Sequence, residues 1–320
     1  MNETSFKAAW WLPNPHLQTL WPTFCRGHIK NLDLERERLE LPDGDFIDLD
    51  WVGKEKSGPL VIILHGFEGS IQSHYAKGMM RAVALQGWRG VFMHFRGCSG
   101  EPNRLPRGYH SGDTQDLAYI VQILLNREPD LALAAIGYSL GGNVLLKWLG
   151  ETRHTNPLRA AIAISVPFEL NKSVKRIEEG FSQVYQWYFL KCLREKLAEK
   201  FQHVPSLFNP REVIAAQTLR DFDDKYTAPL HGFLDANEYY TVASSRQYLH
   251  AIQVPTLVVH AKDDPFMTED SIPTAEELSP AIILEVSDKG GHVGFISGRY
   301  PWSPEYWLEA RIPEFLRGHF

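Results

Sequence analysis

Leu131-Ala-Leu-Ala-Ala-Ile-Gly-Tyr-Ser-Leu-Gly-Gly-Asn-Val-Leu-Leu-Lys-Trp-Leu149 is the stretch that decides the fold of this chain. It predicts a short apolar strand (131–136), a turn between glycines and an apolar helix from about Leu140. Its centre fits G-x-S-x-G, the pattern of a serine on a tight strand-to-helix turn. This pattern is expected by chance about 0.1 times in a chain of this length. The predicted strand before it and the predicted helix after it are the context that favours a functional turn. We therefore predict that Ser139 is a nucleophile, exposed by the turn at a helix N-terminus.

The composition is that of an ordinary soluble globular protein. The 320 residues are 44% hydrophobic and 22% charged, and a net charge of −6 gives no reason to expect nucleic acid as a partner. The longest apolar runs, such as Leu60-Val-Ile-Ile-Leu64, are too short to span a bilayer, and we expect no secretory signal. Cys25, Cys98 and Cys192 are widely spaced, so we expect a reduced, cytoplasmic protein without disulfides.

Apolar strands alternate with helices along most of the chain, which predicts an α/β fold with a mostly parallel, doubly wound sheet. An edge β-hairpin around 42–45 comes first. The buried strands that follow are expected at 59–64, 90–95, 131–136, 160–165, 256–260 and 282–286. Helices are expected at about 73–86, at about 113–125 and from about 140, and a last one with Ser303 as its N-cap. In such a sheet, ligands bind at the carboxyl ends of the strands.

Two segments depart from this alternation and divide the chain. Residues 1–35 are rich in tryptophan and proline, which suits neither a regular strand nor a long helix. We expect an ordered arm packed on the core, with its tryptophans as packing anchors; a membrane-surface anchor is the alternative, although no basic amphipathic face is present. Residues 168–252 lack apolar strands and show helical periodicity, which predicts a helical cap insertion. The core would then comprise 36–167 and 253–320.

A nucleophilic serine needs a histidine as base and a carboxylate that orients the histidine. Where the serine lies on such a turn, the acid and then the histidine follow it along the chain. Asp263 and Asp264 follow the strand at 256–260, and His292 lies in a glycine-rich loop after the strand at 282–286. Only one of two adjacent loop residues can reach the imidazole, so we choose Asp264 and expect Asp263 to serve in the turn. An ordinary surface-loop role for His292 is the alternative.

Two backbone N–H groups are expected to stabilise an oxyanion on the substrate. They belong to Leu140, directly after the nucleophile, and to Phe67, in the loop after the first buried strand. We interpret His65 and Glu68 as side chains that shape this loop. Cys98 lacks an evident base and is interpreted as a packing residue. No spacing typical of metal ligands or nucleotide-binding loops occurs, so we expect neither metal nor cofactor.

Six motifs carry a resemblance to a known family over nearly the whole chain. They are Asn14-Pro-His-Leu-Gln-Thr-Leu-Trp-Pro22, His65-Gly-Phe-Glu-Gly69, Phe95-Arg-Gly-Cys-Ser-Gly-Glu-Pro-Asn103, Gly137-Tyr-Ser-Leu-Gly-Gly-Asn143, Phe222-Asp-Asp-Lys-Tyr-Thr-Ala-Pro229 and Asp263-Asp-Pro-Phe266. The chain resembles the α/β-hydrolase branch of YheT-like esterases, which includes the eukaryotic embryogenesis-associated hydrolases. The N-terminal and cap motifs are specific to this branch. The resemblance implies an α/β-hydrolase fold, a triad of Ser139, Asp264 and His292, and hydrolysis of carboxylic esters, with some relatives acting on lipid esters.

We therefore expect a serine hydrolase that cleaves a small-molecule carboxylic ester through an acyl-enzyme. An acyltransferase or thioesterase with the same triad is one alternative, and a non-catalytic binding scaffold of the same fold is another. Aromatic residues of the cap are candidates for lining an acyl pocket, unless they form only the cap's own small core. They are Trp187, Tyr188, Phe189, Phe233, Tyr239 and Tyr240.

Overall fold

A nine-stranded β-sheet forms the centre of the protein. The computed structural model describes residues 2–27, 29, 32–205 and 208–320. The strands are Asn2–Glu3 (β1), Glu35–Glu40 (β2), Phe46–Val52 (β3), Leu60–Leu64 (β4), Arg89–Met93 (β5), Leu133–Tyr138 (β6), Ala160–Ile164 (β7), Thr256–Ala261 (β8) and Ile282–Ser287 (β9). Their order across the sheet is β1-β9-β8-β7-β6-β4-β5-β3-β2. Only β3 pairs antiparallel, with β2 and β5, so the predicted edge hairpin and the mostly parallel sheet are confirmed.

Helices cover both faces of the sheet because its central strands are buried on both sides. Along β4, Leu60, Ile62 and Leu64 face one apolar cluster, and Val61 and Ile63 face the other. The helices are Pro15–Cys25 (α1), Ala76–Leu85 (α2), Gln115–Arg127 (α3), Leu140–Thr152 (α4), Leu170–Ile177 (α5), Gln183–His203 (α6), Pro210–Ile214 (α7), Leu219–Phe222 (α8), Ala228–Leu230 (α9), Ala236–Ala243 (α10) and Leu308–Leu316 (α11). Helices α3 and α4 pack on the first face, and α2 and α11 on the second.

Residues 168–252 form helices α5 to α10, and no strand occurs among those of them that the structure describes. One apolar cluster lies within this segment, and a second joins residues of the segment to Phe266 and Met267 of the core. Residues 206 and 207 of the predicted cap, and residues 1, 28, 30 and 31 of the predicted arm, lie outside the described residues. None of the described helices is long and apolar enough to cross a membrane.

The N-terminal segment departs from prediction because it contains a regular helix. Asn14 caps α1 by accepting a hydrogen bond from the His16 N–H. Pro15 lies at the first helical position, where its missing N–H costs nothing. Trp11 and Trp21 pack together with ring centroids 4.9 Å apart, as packing anchors would, whereas Trp10 is 73% exposed.

The prediction of a last helix that begins at Ser303 is wrong. Ser303–Tyr306 (β11) pairs antiparallel with Ile296–Tyr300 (β10), and the last helix begins at Leu308. The proline after Ser303, which we expected at a helix N-terminus, instead lies in this two-stranded ribbon. Proline is tolerated there because each strand of a ribbon has an open edge.

Candidate active site

Ser139 lies on a strained turn between β6 and α4. Its φ of 51° is in the left-handed region, which non-glycine residues rarely adopt. The Ser139 N–H donates to the carbonyl of Ile164 on the neighbouring strand, at 2.8 Å. A Cβ on Gly137 would lie 2.5 Å from the carbonyl oxygen of Gly141, and one on Gly141 would lie 2.5 Å from that of His65. The two glycines of the G-x-S-x-G pattern are therefore required by close backbone packing.

The structure brings together the three side chains predicted to act in catalysis. His292 Nε2 lies 2.9 Å from Ser139 Oγ, and His292 Nδ1 lies 2.8 Å from Asp264 Oδ2. All three side chains are largely buried, with exposed fractions of 9%, 3% and 8% for Ser139, Asp264 and His292. This chain of contacts can move a proton from the serine to the imidazole while the carboxylate fixes the ring.

The two adjacent aspartates have different contacts. Asp264 accepts from the Phe266 N–H at 2.8 Å, which orients its carboxylate toward His292. Asp263 instead accepts from the Gly291 N–H at 2.9 Å. Each aspartate therefore holds the histidine loop, one through the imidazole and the other through the backbone.

Helix α1 supports the histidine loop, a relationship that the sequence analysis missed. The Thr19 hydroxyl accepts from the His292 N–H at 2.9 Å and donates to the Pro15 carbonyl at 2.8 Å. The Gln18 side chain bonds both the N–H and the carbonyl of Ile296. A Cβ on Gly291 would lie 2.6 Å from the Pro15 carbonyl oxygen, so α1 and this loop are in direct contact. The Asn14–Pro22 motif marked this segment in the sequence, but the motif does not indicate which other segment it contacts.

The backbone N–H groups of Phe67 and Leu140 flank Ser139. In the described part of the chain, neither donates a hydrogen bond. The preceding Gly66 N–H donates to the Tyr75 hydroxyl at 2.8 Å, and an ideal Cβ on Gly66 would lie 3.2 Å from Ser139 Cβ. Both amides are therefore free to bind an oxygen atom of a ligand beside the serine.

Side chains around the loop 65–69 hold its shape. His65 Nε2 accepts from the Phe95 N–H at 3.0 Å, so Nδ1 carries the hydrogen and donates to the Gly66 carbonyl at 2.7 Å. Burial lowers the pKa of His65 to about 3, which keeps this imidazole neutral. The Glu68 carboxylate accepts from the Tyr109 hydroxyl at 2.8 Å. These contacts fit the loop-shaping interpretation of His65 and Glu68.

Comparison with known proteins identifies the family. The sequence profile of the alpha/beta hydrolase fold matches residues 59–299. The chain is 44% identical over 308 residues to the Escherichia coli K12 protein named "Putative esterase YheT", covering 95% of this chain and 90% of that protein. The chain belongs to the α/β-hydrolase family.

One further relative and one solved structure resemble this α/β-hydrolase. Medium-chain fatty acid ethyl ester synthase/esterase 2 of Saccharomyces cerevisiae is 30% identical over 287 residues, which cover 82% of this chain and 63% of that protein. The solved structure of the Pyrococcus furiosus esterase Pf2001 superimposes with a TM-score of 0.60 at 18% identity, covering 99% of both chains. At that identity the second likeness concerns the fold alone.

Aromatic rings line one side of the α/β-hydrolase site. Phe266 stacks on the imidazole of His292, with ring centroids 4.0 Å apart and an interplanar angle of 13°. Phe189 of α6 contacts Phe266 at 5.8 Å and Phe67 at 5.1 Å. Together the three phenylalanines form an apolar wall that begins at the histidine and ends at the loop of Phe67.

Most of the aromatic residues predicted to line a pocket lie elsewhere. Phe233, Tyr239 and Tyr240 pack against each other in a small apolar cluster of the helical segment. Phe233 and Tyr239 also contact the ring of His110, outside this segment, so they contribute to the packing of the segment on the core. Trp187 and Tyr188 are 61% and 55% exposed on the outer side of α6. Of the six residues, Phe189 belongs to the wall, and the Tyr188 ring lies 6.0 Å from the ring of Phe189.

Several motif residues prove to be structural. Arg96 and Asn103 lie in the motif 95–103. Arg96 donates twice to Asp116 at 2.7 Å, and the Asn103 amide donates to Asp45 at 2.7 Å, so both side chains connect this motif to neighbouring segments. The Asn143 amide donates to the carbonyls of Ser111 and Ala243 at 2.8 Å. The hydrogen bonds of these buried side chains, rather than a role in catalysis, therefore explain why these residue types occur here.

Cys98 is buried, and burial raises the pKa of its thiol to about 11. Its sulfur lies 3.0 Å from the Lys196 ammonium. No cluster of three or more His, Cys, Asp or Glu side chains that could hold a metal occurs within the described residues.

Proposed function

We propose that this α/β-hydrolase is a serine hydrolase that cleaves carboxylic esters of small molecules. One observation carries the proposal. The contacts from Ser139 through His292 to Asp264, at 2.9 and 2.8 Å, lie beside two backbone N–H groups that have no partner in the described chain. A nucleophile, a base, an orienting acid and an oxyanion site are the four parts that acyl transfer to a serine requires.

In the acylation step, Ser139 Oγ attacks the ester carbonyl carbon and His292 Nε2 takes the hydroxyl proton. The carbonyl oxygen becomes an oxyanion, which accepts hydrogen bonds from the N–H groups of Phe67 and Leu140. The imidazolium then gives its proton to the departing alkoxide as the C–O bond breaks. An alcohol leaves, and the acyl group remains on Ser139.

Water completes the cycle in the same site. His292 removes a proton from the water molecule as its oxygen attacks the acyl carbon, and it returns that proton to Ser139 Oγ as the carboxylic acid leaves. Asp264 remains ionised and stabilises the imidazolium. The residues of this chain supply every group that these steps use.

We also propose the division of the chain. Residues 168–252 act as a cap over the strand ends, because Phe189 of α6 reaches the wall beside His292. Residues 36–167 and 253–320 form the core, and residues 1–35 form an arm that supports the histidine loop through Thr19. Because all three cysteines are free, we propose a reducing, cytoplasmic environment.

Acyl transfer to an alcohol is the second candidate function. The relative from Saccharomyces cerevisiae is named as both a synthase and an esterase of fatty acid ethyl esters, and it aligns with 82% of this chain. The acyl-enzyme of such a reaction is the one described above. An alcohol replaces water as the group that attacks it.

The test is turnover of p-nitrophenyl esters of graded acyl length, with water and ethanol as competing acceptors. The proposal predicts release of the free acid in water and loss of that activity in Ser139→Ala. Predominant formation of ethyl ester at low ethanol concentration would favour acyl transfer. Folded wild-type protein that turns over none of the esters would contradict both functions.

A further inference from the structure

We propose that Lys196 is a positioning residue through which the cap controls the oxyanion site. This inference rests on the proposed function, in which the Phe67 N–H stabilises the oxyanion. Lys196 lies on α6 of the cap, whereas Phe67 and Glu68 belong to the core loop 65–69. Glu68 is the residue directly after Phe67.

Glu68 has a backbone conformation that its surroundings must maintain. Its φ of 54° is in the left-handed region, which is uncommon and strained for a residue other than glycine. The Glu68 N–H donates to the Tyr109 hydroxyl at 2.9 Å, and the same hydroxyl lies 2.8 Å from the Glu68 carboxylate. The Gly69 N–H donates to the Gly66 carbonyl at 3.0 Å, so Phe67 and Glu68 are the central residues of one turn. The Gly66 carbonyl belongs to the peptide group that carries the Phe67 N–H, and the contacts of Glu68 therefore help to hold that peptide group through the turn.

The carboxylate of Glu68 is buried and needs a cation. Its side chain is only 2% exposed, and a buried carboxylate without a partner is strongly unfavourable. Lys196 Nζ lies 2.9 Å from one carboxylate oxygen and 3.0 Å from the other. Among the described residues, Lys196 is the one cationic side chain within ion-pair distance of Glu68.

Helix α6 delivers this ammonium from the cap. Leu197, the next residue, is buried in the cap's apolar cluster, and Lys200, one turn further, donates to the Arg107 carbonyl at 2.7 Å. The Lys196 ammonium also lies 3.0 Å from Cys98 Sγ and 5.8 Å from the centre of the Tyr109 ring. The position of α6 thus decides whether Glu68 is neutralised, and Glu68 in turn holds the turn 66–69 that carries the Phe67 N–H.

A change at Lys196 should therefore act mainly on the transition state. The Phe67 N–H has its full effect only when negative charge develops on the substrate oxygen, so its displacement lowers kcat more than it changes KM. Removal of one oxyanion donor lowers kcat by about 10²–10³. A displaced donor should cost less, about 10- to 100-fold.

Lys196→Met is the direct test, with Lys191→Met as its matched control. Lys191 lies on the same helix and is exposed, and its ammonium lies 3.9 Å from Glu195 and 5.8 Å from the centre of the Trp187 ring, both on that helix. Rates are expressed per Ser139 site, counted as the end point of fluorophosphonate labelling. We expect Lys196→Met to lower kcat about 10- to 100-fold with KM within about 3-fold, and Lys191→Met to match the wild type.

Further variants distinguish a role of Lys196 in positioning the loop 65–69 from a role only in attaching the cap to the core. In a Glu68→Gln background the buried charge is gone, so we expect Lys196→Met to cost less than about 3-fold in kcat there. Lys196→Arg should retain part of the activity in the wild-type background. A purely structural ion pair would lower the number of labelled sites and leave kcat per site unchanged.

Hydrogen exchange of the loop 65–69 supplies a readout that does not depend on turnover. We expect faster exchange at Glu68 and Gly69, whose N–H groups donate to the Tyr109 hydroxyl and the Gly66 carbonyl, in Lys196→Met than in Lys191→Met. Wild-type protein that does not react with the fluorophosphonate and does not hydrolyse esters would refute the proposed function. A difference in exchange between the two variants would still support the link from the cap to the loop. Equal exchange in the two variants, or equal kcat per site, would overturn the role of Lys196.

Discussion

The hydroxyl of Thr19 accepts a hydrogen bond from the backbone N–H of His292 at 2.9 Å, although 273 positions separate the two residues. The same hydroxyl donates to the Pro15 carbonyl, so the contact is built into helix α1. The histidine of the candidate triad is thus held at three points: its backbone by Thr19, its Nδ1 by Asp264 and its ring face by Phe266. The N-terminal segment therefore supports the candidate site.

Replacing Thr19 should lower activity. In Thr19→Val the His292 N–H loses its acceptor, and leaving a buried donor unpaired costs about 1–3 kcal/mol. A small displacement of the imidazole then lowers kcat, by about 10-fold or more. Thr19→Ser keeps the hydroxyl and should stay within about 3-fold of the wild type. Equal kcat for Thr19→Val and wild type, measured with the same ester, would show that α1 does not position His292.

The two aspartates should differ sharply in their effect on catalysis. Asp264→Asn preserves shape but favours the wrong imidazole tautomer, so kcat should fall on the order of 10⁴-fold. Asp263→Asn still presents an oxygen to the Gly291 N–H and should cost less than about 10-fold. Steady-state kinetics of both variants provides the measurement, and the opposite ranking would mean that Asp263 is the acid.

Phe189 should set the preferred acyl chain length. A buried methylene is worth about 0.8 kcal/mol, so kcat/KM should rise about fourfold per carbon until the space beside the wall is filled. Phe189→Ala enlarges that space and should move the preferred length upward. Trp187→Ala, at a position of the same helix that is 61% exposed, should leave the profile unchanged. A Phe189→Ala profile identical to that of the wild type would indicate that the acyl group binds elsewhere.

His260 should make the fold sensitive to acid. Burial lowers its pKa to about 4, against about 6.5 in the unfolded chain. Between these values the unfolded state binds a proton that the folded state excludes, so stability is lost as the pH falls from 6.5 toward 4, by up to about 1.4 kcal/mol per pH unit. Urea unfolding of His260→Gln should show a flatter dependence over this range. The stability of His250→Gln, changed at an exposed site, should depend on pH as in the wild type. If the stability of His260→Gln also has the wild-type pH dependence, His260 is not the source of the acid sensitivity.

Local patterns predicted the elements that depend on local chemistry. The strands β4 to β9 each contain at least three consecutive apolar residues, and the turn at Ser139 has glycines that its close packing requires. The last helix was misplaced because a serine followed by proline also suits the edge of a ribbon, and pairing with β10 decided between the two. The helix at Pro15–Cys25 was missed because two prolines argued against it, although one lies at the first position.

Contacts between distant segments could not be predicted. Thr19 and Lys196 each contact a loop more than one hundred positions away, and the sequence around each residue does not indicate which loop that is. The aromatic residues of the cap illustrate the same limit, since composition cannot tell Phe189, which faces the site, from Tyr188, which faces solvent. Only the packing of α6 on the core separates them.

A covalent acyl group on Ser139 is the central claim, and intact-mass spectrometry after acid quench tests it most directly. Wild-type protein mixed with a short p-nitrophenyl ester should gain the mass of one acyl group, located by peptide mapping to the peptide that contains Ser139. Ser139→Ala should show no adduct and a kcat lower by about 10⁴-fold or more. An acyl group on another residue, or undiminished esterase activity in purified Ser139→Ala, would contradict the account.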